Sequence, residues 1–96
     1  MADLTDNVAR SRYEMVVDGQ TSYVSYMWTG DRLTLVHTEV PKALGGRGVG
    51  SALATAVFSA IRRRGLRVAV KCEFLQAFVK RHPEFADLVV MSDEPA

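Results

Sequence analysis

Apolar and polar residues alternate in three stretches near the start of the chain. One stretch begins at Arg12, the next covers residues 21–29 and the third covers residues 32–40. A period of two is typical of a β-strand with one buried face. The dipeptides Asp18-Gly19 and Gly30-Asp31 separate the stretches, and such dipeptides supply the positive φ angles of tight hairpin turns. The sequence therefore predicts three consecutive antiparallel strands.

The apolar spacing changes to three and four residues after Gly48, which predicts an amphipathic helix. Three arginines at residues 62–64 suit the negative end of this helix, and Gly65 lies where a left-handed cap is expected. Residues 66–72 alternate again, so we expect a strand parallel to the third one. The predicted apolar stripe of the helix consists of Val49, Ala52, Leu53, Ala56, Val57, Ala60 and Ile61.

The remainder of the chain predicts a short helix over residues 74–82, which Pro83 ends. Its expected buried side chains are Phe74, Leu75, Phe78 and Val79, and Phe85, Leu88, Val89 and Val90 are expected to cover a remaining edge of the sheet. We interpret residues 1–9 as a frayed start and residues 91–96 as a polar tail. The 96 residues then form one α/β (α+β) domain with its core at about residues 12–90.

Composition excludes several classes of protein. Hydrophobic residues make up 48% of the chain, which argues against a disordered protein. Lys and Arg number 12 against 11 Asp and Glu, so net charge favours neither a nucleic acid nor a membrane partner. No apolar run is long enough to span a bilayer, and a single cysteine excludes an internal disulfide. We expect a cytoplasmic protein without a structural metal site.

Four glycines fall within six positions between the third strand and the first helix, at Gly45, Gly46, Gly48 and Gly50. Glycine is needed where the backbone takes a positive φ or approaches another molecule closely. Unpaired N–H groups and the helix dipole make a helix N-terminus an anion site, so a ligand with phosphate groups fits this loop. The structural alternative is that these glycines only form a turn and allow tight helix packing.

The third strand carries an internal conflict. Strict alternation places His37 and Glu39 on the same face as Leu33 and Leu35. Either the strand bulges so that the polar pair leaves the core, or the pair lines a cleft at the end of the sheet. A structural histidine and a surface glutamate would need no functional explanation. If the parallel strands are neighbours, the pair, Cys72 and the glycines converge on one cleft.

Two kinds of chemistry suit such a cleft. Glu39 can take a proton from an ammonium group, directly or through a water, and so create an amine nucleophile. Cys72 can instead accept an acyl group on its own sulfur. The structural alternative for Cys72 is a small buried apolar side chain at the end of a strand.

Four linked motifs make the chain resemble the small single-domain branch of the GCN5-related N-acetyltransferases. The motifs are residues 36–41 (VHTEVP), residues 46–53 (GRGVGSAL), residues 72–74 (CEF) and residues 82–89 (HPEFADLV). The resemblance covers roughly residues 13–89. It implies a truncated acetyltransferase fold that binds acetyl-coenzyme A and acetylates a primary amine of a small molecule or protein.

The resemblance also implies roles for individual residues. The pantetheine arm would pair with the strand that ends at Val40, and a main-chain amide there would polarise the acetyl carbonyl. Cys72 would lie near the cofactor thiol, with Glu39 as the base and His37 beside it. Lys80 and Arg81 are weaker candidates for phosphate contacts, and the structural alternative, a solvated helix face, is favoured for them. The implied cofactor-binding residues are Val40, Gly45, Gly46, Arg47, Gly48, Val49, Gly50 and Ser51.

The chain departs from the family pattern at four positions. Gly45 replaces an Arg or Gln that would contact the pyrophosphate, and Glu73 replaces a proline. Phe78 and Phe85 replace tyrosines, so no phenol is present there to protonate a leaving thiolate. The departures favour an alternative function, a coenzyme A-binding module without turnover. A second alternative, a nucleic-acid-associated protein that uses residues 62–64 and Arg67, conflicts with the nearly neutral charge.

Overall fold

The computed structural model describes residues 3–90, and these form one six-stranded mixed sheet whose strand order follows the chain. The first four strands pair antiparallel, and the last two extend the sheet with parallel pairing. The strands are β1 (Leu4–Asn7), β2 (Arg12–Val17), β3 (Gln20–Thr29), β4 (Arg32–Glu39), β5 (Val68–Val70) and β6 (Val89–Val90). The predicted mixed fold with three consecutive antiparallel strands is confirmed.

Strand β1 corrects the prediction of a frayed start for its four residues. It pairs with β2, with Leu4 opposite Met15 and Asn7 opposite Arg12. The Tyr26 hydroxyl donates a hydrogen bond of 2.5 Å to Asp6 Oδ1, and this bond ties β1 to β3. A four-residue strand with two exposed central residues has no apolar period, so the pairing depends on contacts that are distant in sequence.

The predicted turns and helix end follow from local backbone geometry. Asp18 and Gly19 both have positive φ angles, +51° and +73°, as a tight hairpin between right-twisted strands requires. Gly65 follows the long helix with φ +69°, and its N–H donates to the Arg62 carbonyl.

Two helices cover one face of the sheet. Helix α1 (Val49–Arg63) connects β4 to β5, and helix α2 (Glu73–Arg81) follows β5. Phe58 of α1 and Phe78 of α2 are fully buried, and their rings stack with centroids 6.0 Å apart. Short 3-10 helices lie at Val8–Arg10, Lys42–Leu44 and Pro83–Leu88. The buried residues of α1 are Val49, Leu53, Ala54, Val57, Phe58 and Ile61, so the predicted three-and-four spacing is confirmed. The predicted stripe is wrong in part, because Ala52, Ala56 and Ala60 are only half-buried, while Ala54 and Phe58 are buried.

The last part of the described chain closes the sheet as predicted, with two differences. Val89 pairs with Val68 and Val90 with Ala69, so this segment does cover the edge. Strand β5 is shorter than the predicted range of residues 66–72, because only residues 68–70 pair with neighbouring strands. Phe74 was predicted to be buried, but it is 37% exposed. The predicted polar tail, residues 91–96, lies outside the described residues. Within residues 3–90, no helix is long and apolar enough to cross a membrane.

Candidate functional site

Strands β4 and β5 pair only over part of their length. Their register begins at Leu33 with Val68 and ends at Leu35 with Val70, and the Lys71 N–H then donates to the Leu35 carbonyl at 2.9 Å. Strand β4 continues to Glu39, and no strand within residues 3–90 pairs with residues 36–39 on the β5 side. We call this gap the β4–β5 notch, bounded by residues 36–39 and residues 71–72. It leaves backbone donors and acceptors of β4 open to another extended chain.

A β-bulge begins the notch. Tyr26 lies opposite Leu35, whereas the preceding residue of β3, Ser25, lies opposite His37. Val36 is therefore the extra residue on β4, and the side chains of β4 change face at this point. The predicted alternation, which placed His37 and Glu39 with the leucines, is wrong beyond Leu35. Of the two explanations considered for the conflict, the structure has the bulge.

His37 and Glu39 form a pair on the sheet face opposite the helices. The distance from His37 Nε2 to Glu39 Oε1 is 3.0 Å, and the two side chains are 56% and 55% exposed. Tyr23 lies beside them, with its ring centroid 6.4 Å from that of His37. The pair is therefore open to a solvent-borne molecule that approaches the helix-free end of the notch.

Cys72 lies on the helix side of the notch, opposite Thr38. Thr38 pairs with the fully buried Val24, so it faces the core. The Cys72 thiol contacts Thr38 Oγ1 at 3.4 Å, and the cysteine is 8% exposed. The structure thus brings Cys72 to β4 across the notch, but His37 and Glu39 lie on the other face of the sheet. The expected convergence of His37, Glu39 and Cys72 on a single cleft is therefore not found.

The glycine loop runs from the end of β4 to helix α1. Gly46 and Gly48 have φ angles of +76° and +73° with open space where a Cβ would lie, so the backbone conformation requires glycine there. Gly48 is the N-cap of α1 and has no side-chain cap, and the Ala52 N–H makes the first α-helical hydrogen bond, to the Gly48 carbonyl. The N–H groups of the first turn are therefore available to an anion.

The remaining predicted cofactor residues flank these amides. Val40 follows Glu39 at the end of β4 and is half-buried, and Gly45 is extended and exposed. Val49 is buried under the first turn, while Ser51 is exposed on it. Gly50 differs from the other glycines because the Phe74 ring occupies the space beside it. Glycine is therefore favoured at position 50 by the packing of Phe74, whereas at positions 46 and 48 it is required by the positive φ angle.

Arg47 is held by the hairpin turn between β2 and β3. Its Nη1 lies 2.6 Å from Asp18 Oδ2, with both side chains about half exposed or more, at 49% and 66%. An anion at the helix N-terminus would compete with Asp18 for this guanidinium.

Arg62 and Arg64, at the end of α1, have structural partners. Arg62 donates to both carboxylate oxygens of Asp87 and to the Glu84 carbonyl, and its hydrogen bond lowers the pKa of Asp87. Arg64 donates to the Tyr13 hydroxyl at 3.0 Å. These contacts anchor the helix end to the segment before β6 and to β2, which weakens the nucleic-acid alternative.

Sequence reasoning missed three residues of this region. Thr38 was assigned to the face opposite the leucines, and only the bulge brings it to Cys72. Asp18 was interpreted as a turn residue, and its contact with Arg47 spans 29 positions. The packing of Phe74 beside Gly50 was not predicted, although the CEF motif includes this residue. Within residues 3–90, no group of three or more His, Cys, Asp or Glu side chains is placed to hold a metal ion.

Comparison with known proteins decides the family. Residues 12–88 match the family described as GCN5-related N-acetyl-transferase. The chain belongs to the GCN5-related N-acetyltransferase family. This match confirms the resemblance on which the sequence motifs were interpreted.

The chain is also similar to Protein NATD1 of several vertebrates. The Bos taurus protein is 42% identical over 59 residues, which cover 60% of this chain and 52% of the relative. The Homo sapiens protein is 37% identical over the same share of each chain. The chain thus spans about half the length of these relatives.

A solved structure has the same fold. It is the NMR solution structure of a GCN5-like protein from Staphylococcus aureus, with a TM-score of 0.70 and 20% sequence identity. The match covers 97% of this chain and 92% of that chain. The truncated acetyltransferase fold expected from the resemblance is confirmed.

Proposed function

We propose that the chain binds acetyl-coenzyme A in the β4–β5 notch and transfers the acetyl group to a primary amine. The observation that carries the proposal is the edge of β4 over residues 36–39, which is unpaired on the β5 side and which the glycine loop connects to the uncapped N-terminus of α1. An extended pantetheine arm can add to this edge as a strand does. The diphosphate then meets the first-turn amides of residues 46–51.

The residues proposed for the reaction lie on both faces of the sheet: Glu39 and His37 on the face without helices, and Cys72 on the helix side. Bound acetyl-coenzyme A would supply a thioester whose carbonyl carbon takes the amine nitrogen. The carbon–sulfur bond would break, and coenzyme A would leave as the thiol with the second proton of that nitrogen. Glu39 accepts the proton that the ammonium must lose, and His37 at 3.0 Å can pass it to solvent. Because this pair is exposed, we infer that the amine approaches from the face without helices.

Cys72 gives a second route to the same product. In that route its sulfur takes the acetyl group, coenzyme A leaves as the thiol, and the amine then attacks the acetylated cysteine. Thr38 lies 3.4 Å from the sulfur and orients it toward the notch. The sequence of events differs between the routes, but the residues that line the notch are the same.

A coenzyme A-binding module without turnover is the second candidate. Phe78 and Phe85, which replace the tyrosines of the family pattern, stack with Phe58, and Phe78 is fully buried. These rings serve the core and have no hydroxyl to protonate a leaving thiolate. This candidate predicts cofactor binding without an acetylated product.

Binding is tested by NMR titration with acetyl-coenzyme A. We expect the amide resonances of Gly46, Gly48 and Gly50 to move, while those of Gly30 and Gly65 stay in place. Gly48→Ala and Gly30→Ala form a matched pair, since both glycines have positive φ in open space. Each should lose about 1 kcal/mol of stability. Only Gly48→Ala should weaken binding, and equal binding by both would refute the loop site.

Turnover is tested by mass spectrometry with acetyl-coenzyme A and a panel of primary amines. An acetylated amine that survives Cys72→Ala but not Glu39→Gln supports direct attack. An acetyl adduct on Cys72 that decays when an amine is added supports the covalent route. Cofactor binding with no product from any amine supports the non-catalytic module.

A further inference from the structure

A second concavity lies beyond the end of β5, and Lys71 belongs both to its lining and to the boundary of the notch. It has a volume of about 720 Å³ and lies between β5, β6 and α2. We call it the valine pocket, because its apolar wall consists of Val70, Val79, Val89 and Val90. Its volume falls within the range of small-molecule sites, roughly 300–1,000 Å³.

The position of α2 separates the valine pocket from the proposed acetyl-coenzyme A site. Phe74 points to Gly50 at the start of α1. Gln76, Val79 and Lys80 lie on another side of the same helix, spaced three and four residues apart, and they line the pocket. Gln76 Nε2 donates to the Val70 carbonyl at 2.9 Å and fixes this side of α2 against the end of β5. A ligand in the pocket would leave the glycine loop free.

The charged side chains that line the pocket are positive. Lys71 and Lys80 are its charged lining residues and both are exposed, and among residues 3–90 no acidic residue lines it. Within residues 3–90, neither lysine has an ion pair or a side-chain hydrogen bond. Two uncompensated ammonium groups beside an aliphatic wall complement a molecule with an anionic head and an aliphatic body.

We propose that the valine pocket binds a free aliphatic monocarboxylate. The alkyl chain packs against the four valines, and Lys71 and Lys80 hold the carboxylate. A nucleotide or inorganic phosphate fits less well, because the described part of the chain contributes no arginine and no glycine-rich backbone to the pocket that could bind phosphate oxygens. The lining also lacks an aromatic ring for a base to stack on.

The test is a titration with three probes of equal chain length: octanoate, octanol and octylamine, each below the concentration at which it self-associates. We expect octanoate to shift the methyl resonances of Val70, Val79 and Val89 with the highest affinity. Hexanoate should bind more weakly, by up to about fourfold for each methylene that the valines no longer cover. The Gly46 and Gly48 amides should not respond, so this result is independent of the acetyl-coenzyme A titration.

Variants test whether Lys71 and Lys80 themselves bind the carboxylate or whether any positive charge on this surface is sufficient. Lys80→Gln and Lys71→Gln should each weaken octanoate by about fivefold or more, because a carboxylate at a partly apolar surface gains more from a cation than in water. Octanol binding should be unchanged in both, which shows that the pocket is intact. Arg81→Gln is the matched control, since Arg81 is exposed on the same turn but does not line the pocket.

Three outcomes would overturn the proposal. One is the absence of any valine methyl shift with octanoate. Another is equal affinity for octanoate and octylamine. The third is an Arg81→Gln effect as large as that of Lys80→Gln, which would show that any surface cation suffices.

Discussion

The ring of Phe74 lies where a side chain on Gly50 would begin. A Cβ built on Gly50 would be 3.0 Å from Cζ of Phe74, closer than carbon atoms pack without displacement. This contact joins the first turn of α2, which follows Cys72, to the first turn of α1, which follows the glycine loop. The two ends of the proposed active site are therefore coupled through one side chain.

Gly50→Ala should show this coupling in a double-mutant cycle. Phe74 is 37% exposed, so its ring can rotate away, and alanine gains up to about 1 kcal/mol of helix propensity. We expect little net loss of stability from Gly50→Ala alone, and a coupling of about 0.5–1 kcal/mol with Phe74→Ala. Urea unfolding of the four proteins measures it. Additive effects would show that the ring does not constrain residue 50.

Asp18→Asn should strengthen the binding of acetyl-coenzyme A by releasing Arg47. Asparagine tolerates the left-handed φ of +51° at this turn as aspartate does, so the hairpin is preserved. We expect a gain of a few-fold at low salt that declines as salt is added, since the ion pair is exposed. Isothermal titration at two salt concentrations measures the effect.

Asp31→Asn is the matched control for this change. Asp31 is an exposed turn residue at the other end of β3, and its replacement changes the net charge equally. An equal gain from Asp31→Asn would attribute the effect to net charge and not to Arg47.

The elements that sequence predicted well are those that local physics determines. The Asp18-Gly19 turn, the Gly65 cap and the three-and-four period of α1 depend on neighbours within a few residues. Strand β1 could not be predicted, because the Asp6 contact with Tyr26 joins residues 20 positions apart. The loop glycines and Cys72 were identified from sequence because their spacing is a motif, and Thr38 was not.

The sheet face on which the His37 and Glu39 side chains lie could not be predicted from the sequence. Strict alternation would place two titratable side chains on the buried face beside the leucines, so the sequence shows that the alternation must be interrupted or the buried face must end. It does not show which residue forms the bulge, because that is set by the pairing of Ser25 and Tyr26 with β4. A shift of one residue moves every later side chain to the other face.

Deletion of Val36 should separate folding from cofactor binding. Without Val36, Leu35 and His37 become consecutive partners of Tyr26 and Ser25, and every other side chain keeps its present face. We expect a folded protein of similar stability, because a regular ladder replaces the bulge. The strand would no longer bend at the start of the notch, so acetyl-coenzyme A should bind at least about tenfold more weakly.

Val36→Ala controls for the loss of the side chain. Val36 is 39% exposed, and alanine keeps the bulge, so both folding and binding should persist. Circular dichroism and the acetyl-coenzyme A titration are sufficient to compare the two variants. Undiminished binding by the deletion variant would show that the bulge does not form the site.

Ser22→Ala should stabilise the fold. Ser22 is fully buried, and its hydroxyl has no hydrogen-bond partner within the described residues. Removing an unpaired buried hydroxyl should gain about 1 kcal/mol. Ser25→Ala is the comparison, since Ser25 Oγ donates to the His37 carbonyl and its loss should not stabilise. Urea midpoints that fall in both variants would show that the Ser22 hydroxyl is satisfied.

The pairing of Arg62 with Asp87 should make stability depend on pH in the acid range. The hydrogen bond from Arg62 lowers the pKa of Asp87 below its ordinary value of 3.8. A carboxylate whose pKa is lower in the folded state contributes stability above the unfolded pKa and loses it as pH falls through the folded value. Asp87→Asn should therefore be less stable than the parent protein at neutral pH, and the gap should shrink below about pH 4.

Urea unfolding at a series of pH values from about 7 to about 3 measures this gap. Glu84→Gln is the control, because Arg62 contacts only the backbone carbonyl of that residue and keeps the contact in the variant. A gap that stays constant down to the lowest pH would mean that the Asp87 side chain stabilises the fold by packing alone. The ion pair would then have no part in holding the segment before β6 against the end of α1.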